Sequence, residues 1–118
     1  MTYDDNNIFA KILREEIPCK KVYENNYALA FHDINPQAKI HILVIPKGKY
    51  ISFADFSKNA SKDEIDGFFR AVGKVAEDHD LVEEGYRILA NHGINAGQEV
   101  PHFHIHIFGK QPLGPMIS

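Results

Sequence analysis

The sequence predicts an α+β domain: a mainly antiparallel sheet of about five strands, with one long and one short helix packed on one of its faces. Three observations lead there. Stretches with the period-2 alternation of strands fall in both halves of the chain. Helical periodicity is confined to two stretches, and those two do not alternate with the strands as a parallel sheet with crossover helices would require. With 118 residues the chain reads as a single domain over 1–118, enough to bury about two-thirds of the surface its unfolded form exposes. It carries no internal repeat and no linker-like segment.

Taken in order, residues 7–15 form the short helix. Asn7 is its N-cap, and Ile8, Phe9, Ile12 and Leu13 make one apolar stripe. Pro18 ends any continuation. Strands follow at Lys21–Glu24 and Tyr27–His32, joined by Asn25-Asn26, residues that tolerate positive φ in a tight hairpin. In the second strand Tyr27, Leu29 and Phe31 share a face. The turn Asp33-Ile34-Asn35-Pro36 comes next; Asp33, at the end of a strand and the mouth of a turn, either caps that turn or binds a polar ligand.

Lys39–Ile45 is apolar on both faces, as a central strand should be, with Ile40, Ile42 and Val44 one way and Leu43 and Ile45 the other. His41 is the odd residue in that run. Pro46-Lys47-Gly48 closes the strand, and 52–59 reads as a loop with room for one helical turn. The long helix starts at the capping box Ser61-Lys62-Asp63-Glu64, and Ile65, Phe68, Phe69, Val72, Val75 and Ala76 give it a clean stripe. Gly67 and Gly73 each cost about 1 kcal/mol against alanine, which close packing on a sheet or a partner helix would explain. A strand follows at Tyr86–Asn91, then a loop over 91–99 whose glycines, Gly93 and Gly97, let backbone N–H groups turn toward an anion. The tail Gln111–Ser118 is irregular.

The most unusual stretch is His102-Phe103-His104-Ile105-His106-Ile107-Phe108. Period 2 puts His102, His104 and His106 on one face of a strand, about 7 Å apart in succession, and Phe103, Ile105 and Ile107 on the other. Three readings stand: a hydrogen-bonded histidine face without chemistry, a metal site, or nucleophilic catalysis in which one ring attacks and its neighbours orient it.

Composition narrows the classes. A net charge of −3 without a Lys/Arg cluster gives no electrostatic reason to expect nucleic acid. The apolar runs are far too short for a membrane span, and the start of the chain, with Asp4 and Asp5, lacks the basic and apolar regions of a signal peptide. The lone Cys19 cannot pair within the chain, which suits a reducing, cytoplasmic setting, and nothing beside it in sequence favours a reactive thiol.

The triad run matches the pattern His-φ-His-φ-His-φ-φ, with φ apolar. Together with Phe31-His32-Asp33-Ile34-Asn35-Pro36-Gln37-Ala38, His41, Leu43-Val44-Ile45-Pro46, Gly97-Gln98 and Pro112-Leu113-Gly114-Pro115-Met116, it resembles the Hint branch of the histidine triad family over roughly Ile8 to Met116. The resemblance implies a HIT-like fold and a homodimeric purine nucleoside phosphoramidase of adenosine 5′-monophosphoramidase type. It would act on AMP or GMP phosphoramidates through a nucleotidyl-histidine, with no cofactor. It also implies His104 as nucleophile, with His102, His106 and His41 in support, and Asn91, Gly97 and Gln98 at the phosphate. Asp33 would take the ribose hydroxyls, and Ile8, Phe9, Ile12, Phe31 and Ile34 would form the base slot, with His32 beside it. Glu99 stands near the leaving group where eukaryotic members carry serine, as in bacterial relatives. The N-terminal Cys-x-x-Cys zinc pair of some members is replaced by Asn7-Ile8-Phe9-Ala10, so that site is not expected, and with the triad acting as a nucleophile no metal is expected for the chemistry either. A dinucleoside polyphosphate hydrolase or nucleotidylyltransferase of the same family, and a non-catalytic nucleotide-binding module, are the alternatives. Dimerisation would use the Ser61–Asp80 helix and the Tyr86–Asn91 strand, with the tail near the partner's site.

Overall fold

The computed structural model describes residues 2–117; Met1 and Ser118, the ends of the expected domain and tail, lie outside the described residues. The element order is α1 (Ile8–Leu13), β1 (Lys21–Glu24), β2 (Ala28–His32), β3 (Ile40–Pro46), α2 (Phe53–Asn59), α3 (Lys62–Asp78), β4 (Tyr86–Leu89) and β5 (Ile105–Gly109), with a 3₁₀ turn at Ile94–Ala96. The strands form one antiparallel sheet in the order β1-β2-β3-β5-β4. The α+β class and the five-stranded antiparallel sheet are as the sequence predicts. β3 sits at the centre because it is apolar on both faces, with Ile42, Val44 and Ile45 fully buried.

The two faces are covered differently. Ala28, Ala30, Ile42, Val44, Ile105 and Ile107 pack under α3, whose Phe68, Ala71, Val72, Val75 and Ala76 complete the larger core. The other face carries Leu29, Phe31, Leu43 and Ile45, and α1 lays Phe9 and Ile12 on it. The expected arrangement with both helices on one face is therefore corrected: α1 packs opposite α3. Leu29, Phe31, Leu43 and Ile45 are too apolar to be left in water, and burying them is favourable by about 25 cal/mol per Å².

Several local readings also change. Phe53–Asn59 form a third helix, more than the single turn within a loop that the sequence suggests: Ser52 caps it by accepting from Asp55 N, and Phe56, 1% exposed, anchors it in the core by stacking on Phe103 with ring centroids 5.0 Å apart. Tyr27 lies before β2, and its ring turns toward α3, so that a Cβ on Gly67 would come within 2.4 Å of it. Close packing thus explains Gly67, but nothing lies within 4 Å of a Cβ on Gly73. β4 ends at Leu89, short of Asn91. β5 starts at Ile105, so His102 and His104 precede the ladder, and Phe103 N–H donates to the Tyr50 carbonyl instead of to a neighbouring strand. The capping box at Ser61 forms as predicted, with both reciprocal bonds present. No helix among the described residues is long and apolar enough to cross a membrane.

Candidate active site

A cavity of about 530 Å³ opens on the face that α1 shares with the histidines. Its apolar wall comes from Ile8, Phe9 and Ile12 of α1 with Phe31 and Leu43 of the sheet; its polar end is made by Asp33, His41, His104 and His106. Ile34, 91% exposed, stands at the rim, and Asn91, Gly97, Gln98 and Glu99 close the far side. Register explains the convergence: Leu43 pairs with both Phe31 and His106, and His41 pairs with Phe108, so these side chains share one face across three strands.

Hydrogen bonds fix which nitrogens carry protons. His104 Nδ1 lies 2.7 Å from the His102 carbonyl, which can only accept, so the His104 ring is protonated at Nδ1 and bare at Nε2. His41 Nδ1 accepts the Gln37 backbone N–H at 3.0 Å, which leaves its proton on Nε2. That Nε2–H lies 2.9 Å from His106 Nδ1 and 3.3 Å from Asp33 Oδ2. His106 then accepts at Nδ1 and carries its own proton at Nε2. The cluster offers one bare imidazole nitrogen and, on the neighbouring ring 5.0 Å away, one N–H donor.

Burial keeps these rings neutral. It lowers the pKa of His106 to about 4, helped by His104 and His41 and opposed by Asp33. Burial also lowers His104, with the bond to the His102 carbonyl opposing, and lowers His41 against the pull of Asp33. Phe9 stands edge-on to His104 at 4.9 Å, and Phe108 lies parallel to His106 at 5.7 Å, so both rings are held by aromatic packing as well. Asp33 does cap its turn, Oδ1 accepting from Asn35 N, and its Oδ2 faces the histidines at the polar end of the cavity.

The loop over 91–99 is braced by Gln98, whose side chain accepts from Gly93 N and donates to the Ile51 and Val100 carbonyls. Gly97 has φ 70, a left-handed conformation that a side chain would strain. Asp33, His41 and His106 could also hold a metal ion, since one donor atom from each lies within 4.8 Å of the others. Cys19 lies between this cavity and a neighbouring hollow of about 520 Å³, and burial raises its thiol pKa, which makes it a poor nucleophile.

Two expected site residues are placed differently. The His102 ring is fully buried and does not join the other two on an open face: its Nε2 donates to the Pro46 carbonyl at 2.8 Å and its Nδ1 lies 2.6 Å from the Tyr3 hydroxyl. The backbone carbonyl of His102, not its imidazole, touches His104. His32 borders the cavity, but it pairs with Ile42 on the α3 side, and its ring lies 6.1 Å from that of His79. Conversely, Tyr3 reaches His102 without any pattern in the sequence that marks it, while Gln37 and Phe108 fall within the quoted motifs but have no role read for their side chains.

The HIT domain model matches residues 14–113. A 13.2 kDa uncharacterized HIT-like protein of Azospirillum brasilense is 64% identical over 117 residues, covering 99% of this chain and 96% of that protein. The purine nucleoside phosphoramidase of Escherichia coli is 40% identical over 114 residues, covering 97% and 95%. Among solved structures, a histidine triad protein from Clostridium difficile superposes with a TM-score of 0.87 at 38% identity, covering 97% of this chain and 98% of that one.

Proposed function

Because the chain belongs to the HIT domain family, we propose that it is a hydrolase that cleaves the P–N bond of purine nucleoside 5′-phosphoramidates, releasing nucleoside monophosphate and amine. One observation carries this: the buried, neutral His104 presents a bare Nε2 to a cavity that is apolar at one end and rich in hydrogen-bonding groups at the other.

In this reading the base lies among Ile8, Phe9, Ile12, Phe31 and Ile34, and Oδ2 of Asp33, which faces His41, accepts from the ribose hydroxyls. Asn91 and the backbone of Gly97 and Gln98 hold the phosphate. His104 Nε2 attacks phosphorus, the P–N bond breaks, and the amine leaves past Glu99, taking a proton from solvent. The imidazolium-like adduct keeps its Nδ1–H on the His102 carbonyl, and His106 Nε2–H donates to a phosphoryl oxygen as charge builds. Water then displaces His104 and restores the neutral ring. An apolar slot does not read base edges, so AMP and GMP derivatives should both serve. The reaction is expected to need no cofactor.

The 40%-identical phosphoramidase supports this substrate class over dinucleoside polyphosphates. A homodimer is part of the proposal, supported by the exposed Phe69, Tyr86 and Ile88 on α3 and β4 and by the open surface at Gly73. A monomeric mass in solution would refute it. A cytoplasmic setting is likewise proposed, on the lone thiol of Cys19.

The test is AMP release from adenosine 5′-phosphoramidate by wild type and His104→Ala. Turnover lost in the variant, with AMP binding retained, supports the reading; turnover that survives moves the chemistry elsewhere. AMP binding without turnover in wild type would leave a nucleotide-binding module. A second reading rests on the Asp33–His41–His106 donor set: stoichiometric zinc retained through purification would make the site a metal centre.

A further inference from the structure

Tyr3 belongs to no motif and lies 99 residues from His102, yet its hydroxyl is 2.6 Å from the Nδ1 of that ring. The opposite corner of the ring, Nε2, is 2.8 Å from the Pro46 carbonyl. A carbonyl only accepts, so Nε2 holds the proton of the neutral ring, and Nδ1 is a lone pair that accepts the Tyr3 O–H. The ring is thus pinned at both ends, between the N-terminal segment and the last residue of β3. Its residue's own carbonyl is the acceptor that leaves His104 bare at Nε2.

We propose that Tyr3 is a positioning residue for the reaction: by pinning the His102 ring it holds the His102 carbonyl in place, and through it the tautomer and aim of His104. The inference rests on the phosphoramidase reading for its kinetic consequence, though not for its structural one. The segment that bears Tyr3 is itself tied down. Asp5 pairs with Lys49 at 2.8 Å, Arg14 donates to the Asp5 carbonyl at 2.8 Å, and Asn7 donates to the Asp4 carbonyl while capping α1. That segment runs directly into α1, whose Phe9 stands edge-on to both His102 and His104. One strap therefore supports the wall of the base slot and the residue behind the nucleophile.

The experiment is Tyr3→Phe, which keeps the ring and removes the hydroxyl, leaving His102 Nδ1 without a donor. Two readouts are taken below the melting temperature of the variant. The first is single-turnover labelling of His104 by adenosine 5′-phosphoramidate, expected to slow by about tenfold, the order of losing one supporting hydrogen bond, while AMP affinity stays within about twofold. The second is the ¹⁵N spectrum of the imidazoles, in which His104 should change from Nδ1–H alone to a mixture of tautomers. Asp5→Ala, which loosens the strap without touching the ring, should move both in the same direction by a smaller factor, and it serves if Tyr3→Phe does not fold. Unchanged labelling with His104 still protonated only at Nδ1 would reduce Tyr3 to a structural clamp and overturn the proposal. If wild type labels with no phosphoramidate, the proposed function fails, and the ¹⁵N comparison still decides the role of Tyr3.

Discussion

His102 should make the fold sensitive to acid, as one of several rings whose pKa burial lowers. Its ring is fully buried, and burial lowers its pKa from an ordinary 6.5 to about 4, the bond to the Pro46 carbonyl opposing and His104 adding to the fall. The sign follows from proton counting. Between pH 6.5 and 4 the unfolded chain binds a proton at His102 that the folded chain does not, so stability is lost as pH falls through that window and levels off below it. At about 1.4 kcal/mol per pKa unit, the shift corresponds to about 3 kcal/mol, a large share of the 5–15 kcal/mol typical of a domain. His102→Gln removes the titration while keeping an N–H donor that can reach Pro46. Urea unfolding of both proteins at pH 7, 6, 5 and 4 should show wild type losing about 3 kcal/mol more than the variant over that range. Because the readout is the difference in slope, an overall destabilisation of the variant does not matter. Parallel pH profiles would refute the reasoning, since His102 would then titrate alike in both states.

Three further outcomes are expected. Asp33→Asn keeps the Oδ1 that caps the turn at Asn35 but loses the charge facing His41, so AMP affinity should fall about tenfold in a titration with little change in melting. Gly97→Ala meets no atom within 4 Å, so only its left-handed backbone is strained, by about 1–2 kcal/mol; phosphate-bearing ligands should bind more weakly while the core, read by near-UV dichroism, is unaltered. Phe56→Ala removes a ring that touches Phe68, Phe103 and Tyr50 and should cost about 3–5 kcal/mol, seen as a lower urea midpoint.

Features set by neighbours in sequence are legible in the sequence. The continuous apolar run around Ile42 marks a central strand, and the reciprocal bonds of Ser61 and Glu64 join residues three apart, so a short window contains them. α2 escaped because seven residues with two aromatics carry too little periodicity, and its burial depends on Phe103, far along the chain. Alternation also put Leu29 and Phe31 together, but it could not say that α1 would cover them. For His102 the pattern failed because membership of a strand depends on what lies opposite. β3 pairs with β5 only as far as Val44 and Ile105, and beyond that His102 turns to Pro46 and Tyr3. The residues recognised by resemblance line the cavity, except that the rings of His32 and His102 face elsewhere.

The neighbouring of β3 and β5 has a kinetic consequence. His41 and His106 meet across 65 residues of sequence, and the chain between them holds α2, α3 and β4. Contacts of such long range come late, because the entropy of closing the loop is lost before the pairing compensates for it. A chain that has formed only β1, β2 and β3 has its apolar slot half built and no histidine cluster at all. In a refolding time course, the recovery of His104 labelling should therefore trail the early helical signal and coincide with the final closure of the sheet.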